Sequence, residues 1–269
     1  MKILKIVLML MLSMLMLVES ALAAPDVSVS LTGIDDYSKC SYGDRAGASY
    51  ITKFANALKV LDTGGTISYL QTYVKKNGDV TTASIKNAPK TTIFVYAGHG
   101  LNYDATNNAL HVNTTTSGKT HATLGEASSQ EMNLITTKTT FTQKYVVLYS
   151  CNQLTNGGSG TKGTNIINMM NGTRLMMGFA SKMYLDSREA TEFGRKLGTN
   201  TICEAYMLAA KKYQAQRSDA SSIARIVGYT DAKNDRLRSN AAFAPKASTN
   251  PTKFGIIDTL TIPATGVTI

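Results

Sequence analysis

The 269 residues hold 28 Lys plus Arg against 18 Asp plus Glu and are 43% apolar, which is ample material for a packed core. The positive balance favours anionic surfaces in general. However, the cations are scattered: only Lys75-Lys76, Lys211-Lys212 and Arg236 to Arg238 cluster, with no aromatic residues interleaved, a solvated surface that argues against a specific nucleic-acid partner.

Met1, Lys2 and Lys5 precede an apolar run from Ile6 to Val18, and Ala21, Leu22 and Ala23 supply the small residues a signal peptidase needs. A membrane-spanning helix needs about 20 apolar residues, and this run is interrupted by Ser13 and stopped by Glu19. Residues 1–23 are therefore expected to be a signal peptide, cut after Ala23 so that Pro25 stays clear of the scissile bond. No cysteine lies near that site, which argues against a lipid anchor. The exported part, 24–269, would be extracellular or periplasmic, with no membrane span and a charge of +9. At 246 residues it is expected to form one domain.

Asp26 to Leu31 alternates apolar and polar residues, as a half-buried strand does. Tyr50, Phe54, Ala57, Leu58 and Leu61 recur at helical spacing within Ala46 to Leu61, and Gly64-Gly65 ends that helix. Ile67 to Val74 fits strand or helix equally. Thr91 to Tyr96 is a β-branched and aromatic run without polar alternation, which predicts a strand covered on both faces, and it ends in Ala97-Gly98-His99-Gly100. Residues 101–127 read as a polar loop or a hairpin around Ala109 to Val112. Tyr145 to Tyr149 is a second buried strand, ending in Ser150-Cys151, and Arg174 to Ala180 is a third, after a short helix from Thr164 to Met170. Asp186 with Glu189, and Thr201 with Glu204, have capping-box spacing ahead of two helices; in the second, Ile202, Tyr206, Ala209 and Tyr213 share one face. Strands alternating with helices predict an α/β fold with a mostly parallel sheet between helix layers.

In such a sheet, active-site residues sit just beyond the carboxyl ends of the strands. His99 and Cys151 both occupy that position. A thiol attacks as thiolate, and an imidazole beside it both favours that form and protonates the leaving group. Gly100 adds a backbone N–H that can approach an oxyanion closely.

Two apolar strands ending in His-Gly and then in a small residue plus Cys resemble the caspase, gingipain, clostripain and legumain superfamily of cysteine peptidases. The resemblance implies a caspase-like three-layer sandwich, His99 as general acid/base, Cys151 as nucleophile, and the Gly100 and Cys151 N–H groups as the oxyanion hole. It implies a peptide or protein substrate and endopeptidase chemistry that needs no cofactor and no metal. It covers residues 91–180 and departs from the family at Ser150, where many members have Ala or Asp; the caspase pentapeptide is absent, and no specificity-pocket residue carries over. Three cysteines in an exported chain leave one over from any disulfide. Nucleophilic chemistry requires Cys151 to stay unpaired, so Cys40 and Cys203 are expected to form the bridge.

Two other classes compete. A catalytically silent exported binding domain of the same fold would keep the pattern without the chemistry. Gly158, Gly160 and Gly163 spell a dinucleotide-type glycine pattern before a helix. Yet Cys151 to Gly157 separate it from the strand end, and no acidic residue follows the next strand until Asp186. His111 and His121 lack partners at metal-ligand spacing and read as surface histidines.

Overall fold

The structure, a computed structural model, describes residues 26–36, 46–102, 108–112, 131–133, 140–155, 166–214, 220–239, 241–246 and 251–264. The expected signal peptide, Cys40, His121 and the Gly158, Gly160, Gly163 pattern lie outside the described residues. In chain order the elements are β1 (Asp26–Gly33), α1 (Gly47–Thr63), β2 (Ser68–Lys76), α2 (Thr82–Lys86), β3 (Ile93–Ala97), β4 (Gly100–Asn102), β5 (Asn108–His111) and β6 (Glu131–Asn133). Then follow β7 (Tyr145–Tyr149), β8 (Leu175–Phe179), α3 (Ser187–Lys196), α4 (Ile202–Gln214), β9 (Ser222–Tyr229) and β10 (Phe254–Ile262). Among the described residues no helix is long and apolar enough to cross a membrane.

Seven strands form one sheet in the order β10-β9-β8-β7-β3-β1-β2. The five strands from β2 to β8 pair in parallel, while β9 and β10 run antiparallel at the other end. The chain is thus an α/β protein with a mostly parallel, mixed sheet. The three central strands read Ile-Phe-Val-Tyr-Ala, Tyr-Val-Val-Leu-Tyr and Leu-Met-Met-Gly-Phe, and every residue in them is buried. Continuous apolar runs of this kind are what a strand flanked on both sides and covered on both faces requires.

β1 corrects the sequence reading. Its alternation predicts a half-buried strand, but it sits between β2 and β3 and is buried from Val29 onward. Its polar residues are satisfied inside the sheet: the Thr32 hydroxyl donates to the Val95 carbonyl at 2.9 Å, and the Thr92 N–H donates to Ser28 Oγ at 3.0 Å. Alternation here records internal hydrogen bonding rather than a wet face. The ambiguous segment from Ile67 is the edge strand β2, and the expected hairpin near Ala109 to Val112 is the centre of a small antiparallel sheet, β4-β5-β6.

α1 buries Tyr50, Phe54, Ala57 and Leu58 and ends at Gly64, with Gly65 at φ +68, a left-handed turn that glycine adopts without strain. The carboxylate capping its first turn is Asp35, which accepts from the Ala48 N–H at 2.6 Å and the Ser49 N–H at 3.1 Å. Rings on α1, α3 and α4 stack against one another and onto the sheet, through Phe54 with Phe193, Phe193 with Tyr206, Phe179 with Tyr206, and Tyr50 with Tyr149 at a centroid distance of 3.8 Å. Aromatic pairs add to the area they bury by about 0.5–1.5 kcal/mol each, so this layer holds the face of the sheet that carries Tyr149.

Candidate active site

The pairing of β3 with β7 sets the site. Ala97 lies opposite Tyr149, and the ladder extends one step further, with the Gly98 N–H donating to the Tyr149 carbonyl at 3.2 Å. Neighbouring strands are about 4.8 Å apart. His99 and Cys151 therefore stand at equivalent positions beyond adjacent parallel strands, at the same edge of the sheet, and both are half-buried. The chain passes from β1 outward to β2 and returns across β1 to β3, so the strand order reverses beside the His99 strand, where open α/β sheets form their crevice.

Each strand end turns locally. The Ser150 N–H donates to the Leu148 carbonyl at 2.9 Å, a short-range bond that bends the chain out of β7, and Asn152 takes φ +59, a left-handed value that Asn tolerates better than most residues. The Tyr96 hydroxyl donates to the His99 carbonyl at 3.0 Å. Gly100 is packed tightly against the second turn. A Cβ there would stand 2.5 Å from the Cys151 carbonyl oxygen and 2.5 Å from Gln153 Nε2, which itself donates to the Cys151 carbonyl at 2.9 Å. Gly100 is also the first residue of β4, opposite Leu110.

The Cys151 sulfur meets the segment that follows β8. Met183 N–H lies 3.3 Å from Sγ, and Sγ lies 3.6 Å from the Met183 carbonyl, to which the thiol form donates. The other expected pair divides: Cys203 is a free, buried thiol, which burial pushes up to about 12, while Cys40 lies outside the described residues. Among the described residues no group of three or more His, Cys, Asp or Glu could hold a metal ion.

Beneath Cys151 lies a cluster that sequence reasoning missed. Asp186 caps α3 as expected, accepting from the Arg188 N–H at 2.8 Å, but Glu189 does not complete a capping box. It points inward, 1% exposed, and its Oε2 accepts from the Tyr149 hydroxyl and from Gln214 Nε2 at 2.7 Å. Among the described residues no cation pairs with it; burial raises it to about 8, and the nearby Asp186 charge adds to the shift. Glu189 Oε1 and the hydroxyls of Tyr50 and Tyr206 are buried without hydrogen-bond partners among the described residues. Burial and the Glu189 charge hold all three tyrosines well above their ordinary range, so they remain neutral. The second expected box does form: Thr201 N–H donates to Glu204 at 2.9 Å, and Glu204 N–H to Thr201 Oγ1 at 3.1 Å. On α4 the buried face ends on Gln214, not on Tyr213, which is half-exposed beside Lys212 and Arg188.

A family model described as a domain of unknown function (DUF6345) matches residues 32–257. No curated protein matches the chain.

Proposed function

The chain belongs to the DUF6345 family, and we propose that within this fold it works as an exported cysteine peptidase-like hydrolase, with Cys151 as nucleophile and His99 as general acid/base. The observation that carries the reading is the in-register pairing of Ala97 with Tyr149, which sets the two strand ends side by side and supports a shared site for His99 and Cys151. The Cys151 thiolate would add to the carbonyl carbon of a peptide bond, and His99 would pass a proton to the departing amine. Water would then cleave the thioester, with His99 accepting its proton, returning the thiol and releasing the acid. The N–H groups of Gly100 and Cys151 would face the oxyanion. A peptide or protein is the substrate, and this chemistry draws on no metal or organic cofactor. The strand order and the reversal beside β3 support a caspase-like sandwich. Export would place it in an extracellular or periplasmic compartment.

A catalytically silent binding domain of the same fold is favoured by two features. The Cys151 thiol is engaged by both backbone groups of Met183, and Gly100 belongs to the β4-β5 ladder. Iodoacetamide separates the two readings. If His99 activates the sulfur, Cys151 alkylates at about pH 6 at least about tenfold faster than a free model thiol, and His99→Ala removes the excess. Equal rates in wild type and variant contradict the dyad.

A further inference from the structure

The segment between β8 and α3 has no regular structure from Ser181 to Asp186, yet it supplies the only backbone groups bonded to the Cys151 sulfur among the described residues. Irregular backbone holds a position only where something fixes its polar groups. One end is fixed by Ser181, whose Oγ accepts from the Ile223 N–H at 2.8 Å and whose carbonyl accepts from the Asn152 N–H at 2.9 Å. The other end is fixed at Tyr184, whose carbonyl the Tyr149 hydroxyl reaches at 3.4 Å and whose N–H and carbonyl are both bonded by a single amide. Gln214 Oε1 accepts from the Tyr184 N–H at 2.8 Å, and Gln214 Nε2 donates to the Tyr184 carbonyl at 2.7 Å. The side-chain amide thus takes the place of a neighbouring strand for the residue next to Met183. Gln214 is itself 1% exposed, and Nε2 is shared with Glu189 Oε2 at 2.7 Å and the Tyr149 hydroxyl at 3.1 Å. Tyr149 lies two residues before Cys151 on the same chain. The amide therefore joins the two stretches of backbone whose separation sets the contact between the Met183 N–H and the sulfur.

We propose that Gln214 is a positioning residue for the Cys151 thiol, holding Met183 and Tyr184 so that the Met183 N–H faces the sulfur. An N–H aimed at a sulfur stabilises the anion over the thiol, and that contact survives when the thiol proton, held toward the Met183 carbonyl, is lost. The inference rests on the reading of Cys151 as a nucleophile but does not need the protein to be a peptidase. Amides that accept from one backbone group and donate to the next restrain a segment at both, whereas an isosteric apolar side chain fills the space and restrains neither.

The test is Gln214→Met in the full chain, with alkylation of Cys151 by iodoacetamide at about pH 6 and about pH 9 read by mass spectrometry. The expected result is a fall of about threefold or more in the ratio of the two rates, with native circular dichroism. A merely structural role lowers the melting temperature and leaves the ratio unchanged; that outcome overturns the proposal. Should the variant not fold, hydrogen exchange on the wild type decides. The Tyr184 amide is then expected to exchange as slowly as the β7 core, and exchange at the rate of an open loop overturns the proposal. The comparison is independent of the dyad, because an inactive wild type that His99→Ala leaves unchanged refutes the peptidase reading, while the effect of Gln214→Met on the ratio still stands or falls by itself.

Discussion

Replacing Glu189 by Gln isolates the buried carboxyl. Glu189 sits in the first turn of α3, surrounded by Tyr50, Tyr149, Tyr206 and Gln214, with no cation paired to it among the described residues and with Asp186 as the nearby like charge. Its ordinary value of 4.5 rises to about 8 in the folded state, chiefly through burial. Below the unfolded value both states hold the proton, and its stabilising effect is complete. As pH rises above 4.5 the unfolded chain ionises while the native protein keeps the proton until about 8, so stability falls through that window. The slope is about 1.4 kcal/mol per pH unit, for a total on the order of 5 kcal/mol. Glu189→Gln keeps the volume and the acceptor for Tyr149 and Gln214, puts an NH2 where Oε1 has no partner, and removes the titration. Urea unfolding from about pH 5 to about pH 8 is then expected to show the variant gaining on the wild type by several kcal/mol as pH rises. A constant difference between the two curves refutes the reasoning, since it means that the carboxyl does not titrate differently on folding.

Gly100→Ala places a methyl 2.5 Å from the Cys151 carbonyl oxygen and 3.0 Å from Ser150 Cβ. It is expected to cost about 1–3 kcal/mol and to slow Cys151 alkylation, whereas Gly255→Ala, where an added methyl meets nothing within 4 Å, leaves both unchanged; equal effects at the two sites contradict the close approach of the strand ends. Asp235 takes a two-pronged contact from Arg174 at 2.6 and 3.1 Å and a hydrogen bond from the Tyr145 hydroxyl at 3.0 Å. Asp235→Ala leaves the mostly buried guanidinium, among the described residues, with only the exposed Asp231 at 3.6 Å, and a loss of about 3–5 kcal/mol in urea unfolding is expected; a loss under about 1 kcal/mol shows that the pair stays solvated. Cys203, 4% exposed and raised to about 12, is expected to stay unlabelled in native protein and to react once unfolded, and labelling of Cys203 at the rate of Cys151 in mass spectrometry contradicts its burial.

What was legible in the sequence was what depends on neighbours in the chain. The uninterrupted runs of β3, β7 and β8 announce strands covered on both faces, and the turn at Gly64-Gly65 announces the end of α1, because each is a local property. The positions of His99 and Cys151 at strand ends were legible for the same reason. Less accessible was whatever long-range packing decides. The alternation in β1 has the pattern of a wet face, and only its place between two strands shows that Ser28 and Thr32 bond inside the sheet. Glu189 stands three residues after an N-cap, where a capping box would put it, but it is drawn into the core by Tyr149 and Gln214, one 40 residues before it and the other 25 after. Gln214 lies one helix turn from Ala210 and continues the buried face, beyond the stripe of Ile202, Tyr206, Ala209 and Tyr213. The signal available for both was a polar residue in phase with an apolar stripe, which marks either a buried network or a wet edge and does not say which.

Hydrolysis of a peptide bond is the most direct consequence of a Cys151/His99 dyad. Purified full-length protein is incubated with a peptide library, and cleavage is followed by mass spectrometry for the wild type, Cys151→Ala and His99→Ala, each with native circular dichroism. The account predicts cleavage by the wild type that is lost in Cys151→Ala and reduced by at least about a hundredfold in His99→Ala. Cleavage that persists undiminished in Cys151→Ala, or its absence in a wild type whose Cys151 alkylates no faster than a free thiol, contradicts it.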